Sequence, residues 1–74
     1  MDKLTYKQAK RQAMIESAND KSVTIYIIAL TSHMLDFSTV SEKELSSHRV
    51  MVPLSQRVAV YRYGRLDQQF INIK

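Results

Sequence analysis

The segment that decides the fold lies at residues 56–65 and reads Gln56-Arg57-Val58-Ala59-Val60-Tyr61-Arg62-Tyr63-Gly64-Arg65. Aliphatic, aromatic and arginine side chains interleave here, just before the only glycine of the chain. Because neighbouring side chains of a strand point to opposite faces, Val58 and Val60 are predicted to face a core. The same alternation places Arg57, Tyr61 and Tyr63 on the other face, which is therefore a candidate binding surface.

Earlier parts of the chain also have strand character. Residues 23–30 form a β-branched run that is too short for a typical helix, so they predict the first strand. Residues 33–37 predict a short second strand. Residues 50–52 precede Pro53, which cannot continue a central ladder, and they predict either an edge strand or an extended loop.

The end of the chain predicts a hairpin, with a strand over 57–63, a turn over 64–67 and a last strand over 69–73. One face of the predicted strands is aliphatic throughout, with Val23, Ile25, Ile27, Ala29, Val58, Val60, Ile71 and Ile73. The other face is mainly aromatic and basic, and it includes Tyr26 and Phe70. One helix can cover one face of such a sheet, so we expect the second face to be partly open to water.

Helix signals stand at two places. Thr5 followed by Gln8 is a capping-box pattern that predicts a helix over 5–18, and Ser41 followed by Glu44 predicts a short second helix near 41–47. The predicted fold is α+β, with the N-terminal helix packed on one face of a three- to four-stranded antiparallel sheet. A chain of 74 residues has room for a single domain, here residues 1–74.

Composition and charge restrict the function. The chain contains no cysteine, which excludes disulfides and thiolate chemistry, and we expect a cytoplasmic setting. We expect no association with a membrane, because the N-terminus lacks the apolar run of a signal peptide and residues 23–30 are too few to span a bilayer. The net charge is +4, and residues 49–74 carry five basic side chains against one acidic. This excess favours an anionic partner, either an acidic protein or nucleoprotein surface or a nucleic acid.

Catalytic and metal-binding patterns are missing from the sequence. His33 and His48 are the only histidines, and neither stands in a spacing that supplies three or four metal ligands. Ser47 beside His48 has no assignable carboxylate to orient a triad, and a single glycine gives no phosphate-binding loop. We therefore predict a protein that is not an enzyme and that holds no metal and no cofactor.

Six residues are predicted to bind a partner, namely Arg57, Tyr61, Tyr63, Arg65, Lys7 and Lys10. Tyrosine and arginine dominate interface hot spots, and guanidinium groups pair with carboxylates or phosphates. Arg62 is left out, because its parity places it with the aliphatic side chains. We expect a small non-catalytic inhibitor or adaptor. Direct nucleic-acid binding with stacking on the tyrosines is one alternative, and a homo-oligomeric structural protein that uses a sheet edge is another. A monomer and a homodimer are both compatible with the sequence.

A family resemblance rests on the helix and on the late strand, with Thr5, Gln8, Ala9, Lys10, Arg11 and Ala13 in the first and Ala59, Val60, Tyr61 and Gly64 in the second. With these residues the chain resembles the small α+β proteins of phages and mobile elements, anti-CRISPR inhibitors among them. The resemblance covers about half of the chain, and residues 31–53 lie outside it. It implies a protein that acts by binding and has no catalytic residues.

Overall fold

The architecture is a helix on a four-stranded sheet in a computed structural model that describes residues 3–31, 33–46 and 52–72. The elements in chain order are α1 (Tyr6–Asn19), β1 (Ile25–Ala29), β2 (Phe37–Ser41), α2 (Glu42–Ser46), a 3-10 turn (Leu54–Gln56), β3 (Arg57–Arg62) and β4 (Arg65–Gln69). Neighbouring strands are antiparallel in the order β2-β1-β3-β4, and α1 contacts all four. The predicted α+β class, with its N-terminal helix and short second helix, is confirmed.

Each predicted helix start has a capping hydrogen bond, and the one at α1 is a full capping box. The Thr5 hydroxyl accepts from the Gln8 N–H at 3.2 Å, and the Gln8 side chain accepts from the Thr5 N–H at 3.0 Å, so α1 begins directly after Thr5. At the second box, the Glu44 N–H donates to the Ser41 hydroxyl at 3.2 Å. These bonds satisfy backbone donors that a helix start leaves without an internal partner.

The main core lies between α1 and the sheet. Ala9 and Ala13 of α1 are completely buried, and their small side chains let the helix approach the strands closely. The sheet contributes Ile25, Ile27, Ala29, Phe37, Val58, Ala59 and Tyr61 to the same cluster. Tyr6 extends it, because its ring lies 5.3 Å from that of Phe37.

The strand boundaries differ from the predicted ones at three places. The second strand follows residues 33–37 and shares only Phe37 with them, because Met34 adopts a φ of 57° and donates its N–H to the Thr31 carbonyl in a turn. The last strand begins at Arg65, directly after a two-residue turn, so the predicted strand over 69–73 was wrong except at Gln69. Val52 lies outside the strands, and residues 50, 51 and 73 fall outside the described part of the chain.

A β-bulge in β3 overturns the predicted assignment of faces. Ile27 pairs with Ala59 while Ile28 pairs with Arg57, so Val58 is the extra residue. Val58 and Ala59 therefore both join the core under α1, and the alternation is reset beyond them. Tyr61 pairs with Ile25 and joins the core, whereas Val60 moves to the opposite face. A second bulge makes Asp67 the extra residue of β4.

The face of the sheet that points away from α1 is also buried at its centre. Ile28, Val40 and Val60 lie on this second face, and they are only 2 to 3% exposed. Arg62 and Arg65 lie on the same face near the hairpin and are exposed. The face is therefore closed at its centre and open to water towards the hairpin end.

Candidate functional site

Tyr61 does not belong to an exposed binding surface. It is 3% exposed and lies in the core beneath α1, so its predicted exposed placement was wrong. Burial raises the pKa of the Tyr61 phenol above the ordinary value of 10.0, and the nearby Tyr6 adds a smaller effect in the same direction. The β3 bulge is the cause of this placement, and no local sequence signal marks it.

Arg57 lies on the second face, away from α1. Its guanidinium carbon is 5.6 Å from the centre of the Tyr26 ring, a cation–π arrangement across neighbouring strands. The Nε atom is buried, and it has no hydrogen-bond partner in the described residues. The predicted face of Arg57 is confirmed, although the residue is separated by the sheet from the lysines of α1.

Tyr63 stands at the tip of the β3–β4 hairpin in a conformation that is unfavourable for an aromatic residue. Tyr63 and Gly64 form the two-residue turn with φ values of 55° and 74°, the pattern of a type I′ turn. Asparagine or glycine is the usual occupant of the first position, and a bulky residue at positive φ is an outlier there. The Tyr63 side chain is nevertheless 63% exposed, so packing does not account for its presence.

The hairpin tip is fixed to the C-terminal half of α1. The Gly64 N–H donates to the Ser17 hydroxyl at 3.0 Å, and this hydroxyl donates to the Met14 carbonyl at 3.3 Å. A Cβ atom on Gly64 would lie 2.9 Å from the Ala18 Cβ. Because Ser17 is fully buried, this contact holds Tyr63 in a defined position beside the helix.

Arg65 and Arg62 are paired directly across the hairpin, and both are exposed. Like charges that face each other across two strands destabilise the pair. Asp67 compensates in part, because its carboxylate lies 3.9 Å from Arg62. A half-exposed ion pair of this kind adds little stability, and the hairpin end therefore stays basic.

The charges of α1 run against its dipole. Lys7, Lys10 and Arg11 occupy its first half and are exposed, whereas Glu16 lies in the last turn. Cations near a helix N-terminus and like charges four residues apart each destabilise a helix by a few tenths of a kcal/mol. This arrangement does not serve the stability of α1.

Lys10 is connected to the β4 edge of the sheet through Tyr6. Its ammonium lies 5.3 Å from the centre of the Tyr6 ring, and the Tyr6 hydroxyl accepts a hydrogen bond from the Gln69 side chain of β4 at 3.2 Å. The basic side of α1 therefore borders β4.

One surface combines these features, and we call it the α1–β4 surface; its members are Lys7, Lys10, Met14, Tyr63 and Leu66. The three α1 residues are spaced i, i+3 and i+7, so they share one side of the helix. Leu66 pairs with Tyr61 and thus shares its face of the sheet. Met14 is 46% exposed and Leu66 is 49% exposed. Of the predicted residues, Lys7 and Lys10 lie on this side of α1, and Tyr63 lies at the hairpin tip that contacts the C-terminal half of α1. Arg65 lies on the second face, paired with Arg62.

Met14 and Leu66 were missed by the sequence analysis. A methionine on a helix and a leucine near the chain end are ordinary core residues, and only their exposure in the structure marks them as surface residues. The position of Leu66 relative to Met14 depends on the packing of the hairpin against α1. The sequence signal for Met14 was its spacing of four residues from Lys10.

A polar cavity of about 440 Å³ lies elsewhere, lined by Asp20, Ser22, Val23, Thr24, Ser41, Glu42, Lys43 and Ser46. The Asp20 carboxylate accepts from the Ser22 N–H at 3.0 Å and from its hydroxyl at 2.6 Å, and these bonds lower the pKa of Asp20. The Asp20 carboxylate is therefore already engaged in a turn.

The described residues contain neither a metal-binding cluster nor a membrane-spanning helix. Within 3–31, 33–46 and 52–72, no group of three or more His, Asp or Glu side chains could hold a metal ion. No helix in these ranges has the length and apolar character needed to cross a bilayer. No protein-family model matches the chain, and comparisons with curated proteins and with solved structures give no match.

Proposed function

We propose that this protein is a non-catalytic binding protein that docks its α1–β4 surface on an acidic surface of a protein or nucleoprotein. The observation that carries the proposal is the charge order of α1, whose cations oppose the helix dipole and repel one another. An anionic partner would turn this unfavourable arrangement into a favourable one. The role as an inhibitor or adaptor follows the resemblance to anti-CRISPR proteins.

The apolar members of the surface favour a protein partner. Tyr63, Met14 and Leu66 are each about half exposed or more, and Met14 lies one helical turn beyond Lys10 on α1. Aromatic residues and methionine are enriched in the cores of protein interfaces, where they fill pockets of the partner. Phosphate backbones offer no such pockets, so the mixture of apolar and basic side chains supports docking on a protein.

The basic residues of α1 also suit direct nucleic-acid binding, although one of the two predicted stacking residues is buried. Lys7, Lys10 and Arg11 could contact phosphates, but the predicted stacking pair is reduced to Tyr63 because Tyr61 is buried. A homo-oligomer through this surface would bring the lysines of two copies together. Both alternatives are therefore weaker than an acidic protein partner.

The test compares two charge-reversal variants of equal net charge in affinity capture from nuclease-treated lysate. Lys7→Glu with Lys10→Glu changes the α1–β4 surface, whereas Lys21→Glu with Lys43→Glu changes exposed lysines elsewhere. We expect the first variant to capture at least about tenfold less partner and the second to capture it like the unmodified protein. Equal capture by both variants would contradict the proposal. A complex that is captured from untreated lysate but not from nuclease-treated lysate would indicate nucleic acid.

A further inference from the structure

We propose that the acidic partner segment binds as an added β-strand on the outer edge of β4, with its side chains against the α1–β4 surface. This inference rests on the proposed function and specifies how the partner is held. β4 is the last strand of the sheet, and four of its five residues are exposed. An edge strand presents backbone N–H and C=O groups that can pair with another chain.

The two edges of the sheet differ in how they are covered. At the β2 edge, Leu4 and Phe37 exchange two backbone hydrogen bonds of 2.8 Å, so the chain itself occupies that edge at Phe37. At the β4 edge, no backbone group has a partner on its outer side in the described residues. The open edge is thus the one beside Lys7 and Lys10.

The register of the hairpin identifies the outward amides. Arg62 and Arg65 flank a two-residue turn and bond to each other, so Leu66 directs its N–H and C=O away from β3. Phe70 donates its N–H to Val58 at 2.8 Å, which by alternation leaves the Gln69 N–H facing outward. Leu66 and Gln69 are therefore the residues whose amides an added strand would engage.

The side chains around this edge determine which kind of partner segment fits there. Every second residue of an added strand would project toward α1, where it meets Lys10, Met14 and Leu66. Carboxylates fit the lysines, and aliphatic side chains fit Met14 and Leu66. The expected guest is an extended segment that contains both acidic and aliphatic residues.

A second copy of this chain is a poor guest. Antiparallel pairing of two β4 edges would place both α1 helices on the same face, with the lysines of one copy beside those of the other. The net charge of +4 adds to this repulsion.

Amide hydrogen exchange measured by NMR on the unmodified protein tests the inference directly. The probe is a short capped peptide in which glutamate alternates with valine, and the control peptide replaces glutamate by lysine. At low salt and saturating probe, exchange at Leu66 and Gln69 should slow by at least about tenfold, because both amides become hydrogen-bonded. The lysine peptide should leave these rates unchanged.

A pair of variants separates strand addition from simple charge attraction. Leu66→Pro removes the outward N–H at a position where an edge strand tolerates proline, and Leu66→Ala removes only the side chain. The glutamate–valine peptide should bind Leu66→Pro about tenfold more weakly than Leu66→Ala. Equal affinities, or binding that slows neither amide, would overturn strand addition.

Other outcomes also decide the matter. Failure of the glutamate–valine peptide to bind at low salt would overturn the inference, whereas the capture experiment with Lys7 and Lys10 decides the proposed function separately. Slower exchange at Leu66 and Gln69 on raising the protein concentration without peptide would also overturn it, since a second copy would then occupy the edge.

Discussion

Two separate features restrict position 64 to glycine. Its φ of 74° lies in the left-handed region, and an added Cβ would lie 2.9 Å from Ala18. The same residue donates its N–H to the buried Ser17 hydroxyl. The backbone conformation and the close approach to α1 therefore both require glycine here.

Gly64→Ala should lower the free energy of unfolding by about 1–3 kcal/mol, because strain at positive φ adds to the contact with α1. Urea denaturation measures this change. Ala18→Gly is the informative second variant: combined with Gly64→Ala, it should recover the part of the loss that comes from the contact. A Gly64→Ala protein as stable as the unmodified one would contradict this account of the turn.

Tyr63→Asn should separate stability from binding. Asparagine tolerates positive φ better than tyrosine, so the free energy of unfolding should rise by about 0.5–1 kcal/mol. Capture of the partner should fall, because the exposed ring is lost. Chemical denaturation and the capture assay provide the two measurements, and unchanged capture would remove Tyr63 from the binding surface.

Tyr61 makes the free energy of unfolding depend on pH in the alkaline range. Burial raises its pKa in the folded state above 10.0, so on raising the pH the unfolded chain loses this proton first. The Tyr61 contribution is therefore complete below pH 10 and is lost as the pH rises through the folded-state pKa. Tyr61→Phe should flatten the decline of stability above about pH 10 in denaturation profiles, and an unchanged decline would contradict this role of Tyr61.

At the scale of elements, α1 combines an efficient start with unfavourable charges. The capping box at Thr5 fixes where the helix begins, and Ala9 and Ala13 fix which side meets the sheet. The lysines beside this buried side then border β4. A helix optimised for stability would carry acidic residues in its first turn, and α1 has none.

Lys7→Glu should stabilise the protein while it weakens binding. Glutamate in the first turn interacts favourably with the helix dipole and removes the repulsion with Arg11, so the free energy of unfolding should rise by about 0.3–1 kcal/mol. Lys7→Gln should show about half of the gain. Thermal unfolding and partner capture measure the two effects, and a loss of stability would contradict the electrostatic argument.

At the scale of the whole molecule, charge is unevenly distributed over the fold. The basic α1 side and the hairpin lie together, whereas Asp20 and Glu42 line the polar cavity near α2. Such an arrangement would orient the protein toward the proposed anionic partner during encounter. The sheet edge and the charge therefore favour approach from the same side.

Association with an acidic partner should slow as the ionic strength rises. Between 50 mM and 500 mM salt, the association rate should fall by about tenfold or more, with a smaller change in the dissociation rate. Stopped-flow or surface-based kinetics on a captured partner measure both rates. Lys7→Glu with Lys10→Glu should remove most of this dependence, and Lys21→Glu with Lys43→Glu should retain it.

Sequence patterns predicted the structure correctly where the stabilising interactions join residues that are close together in the chain. Thr5 with Gln8 and Ser41 with Glu44 predict helix starts because the bonds that cap a helix join residues three apart. The β-branched run predicted β1 within two residues at its start and one at its end. The exposure of Lys7 and Lys10 likewise agrees with their polar character, whereas Tyr63 is exposed in the turn and not in the predicted strand over 57–63.

What the sequence determined by itself was the α+β class, the helix starts and the basic charge of α1. The tertiary structure decided which side chains share a face, because the bulge at Val58 exists only through the pairing of β3 with β1. That one extra residue buries Tyr61 and turns Val60 to the second face. The exposed surface on α1, the hairpin tip and β4 likewise depends on the contact of Gly64 with Ser17, which joins positions 47 residues apart.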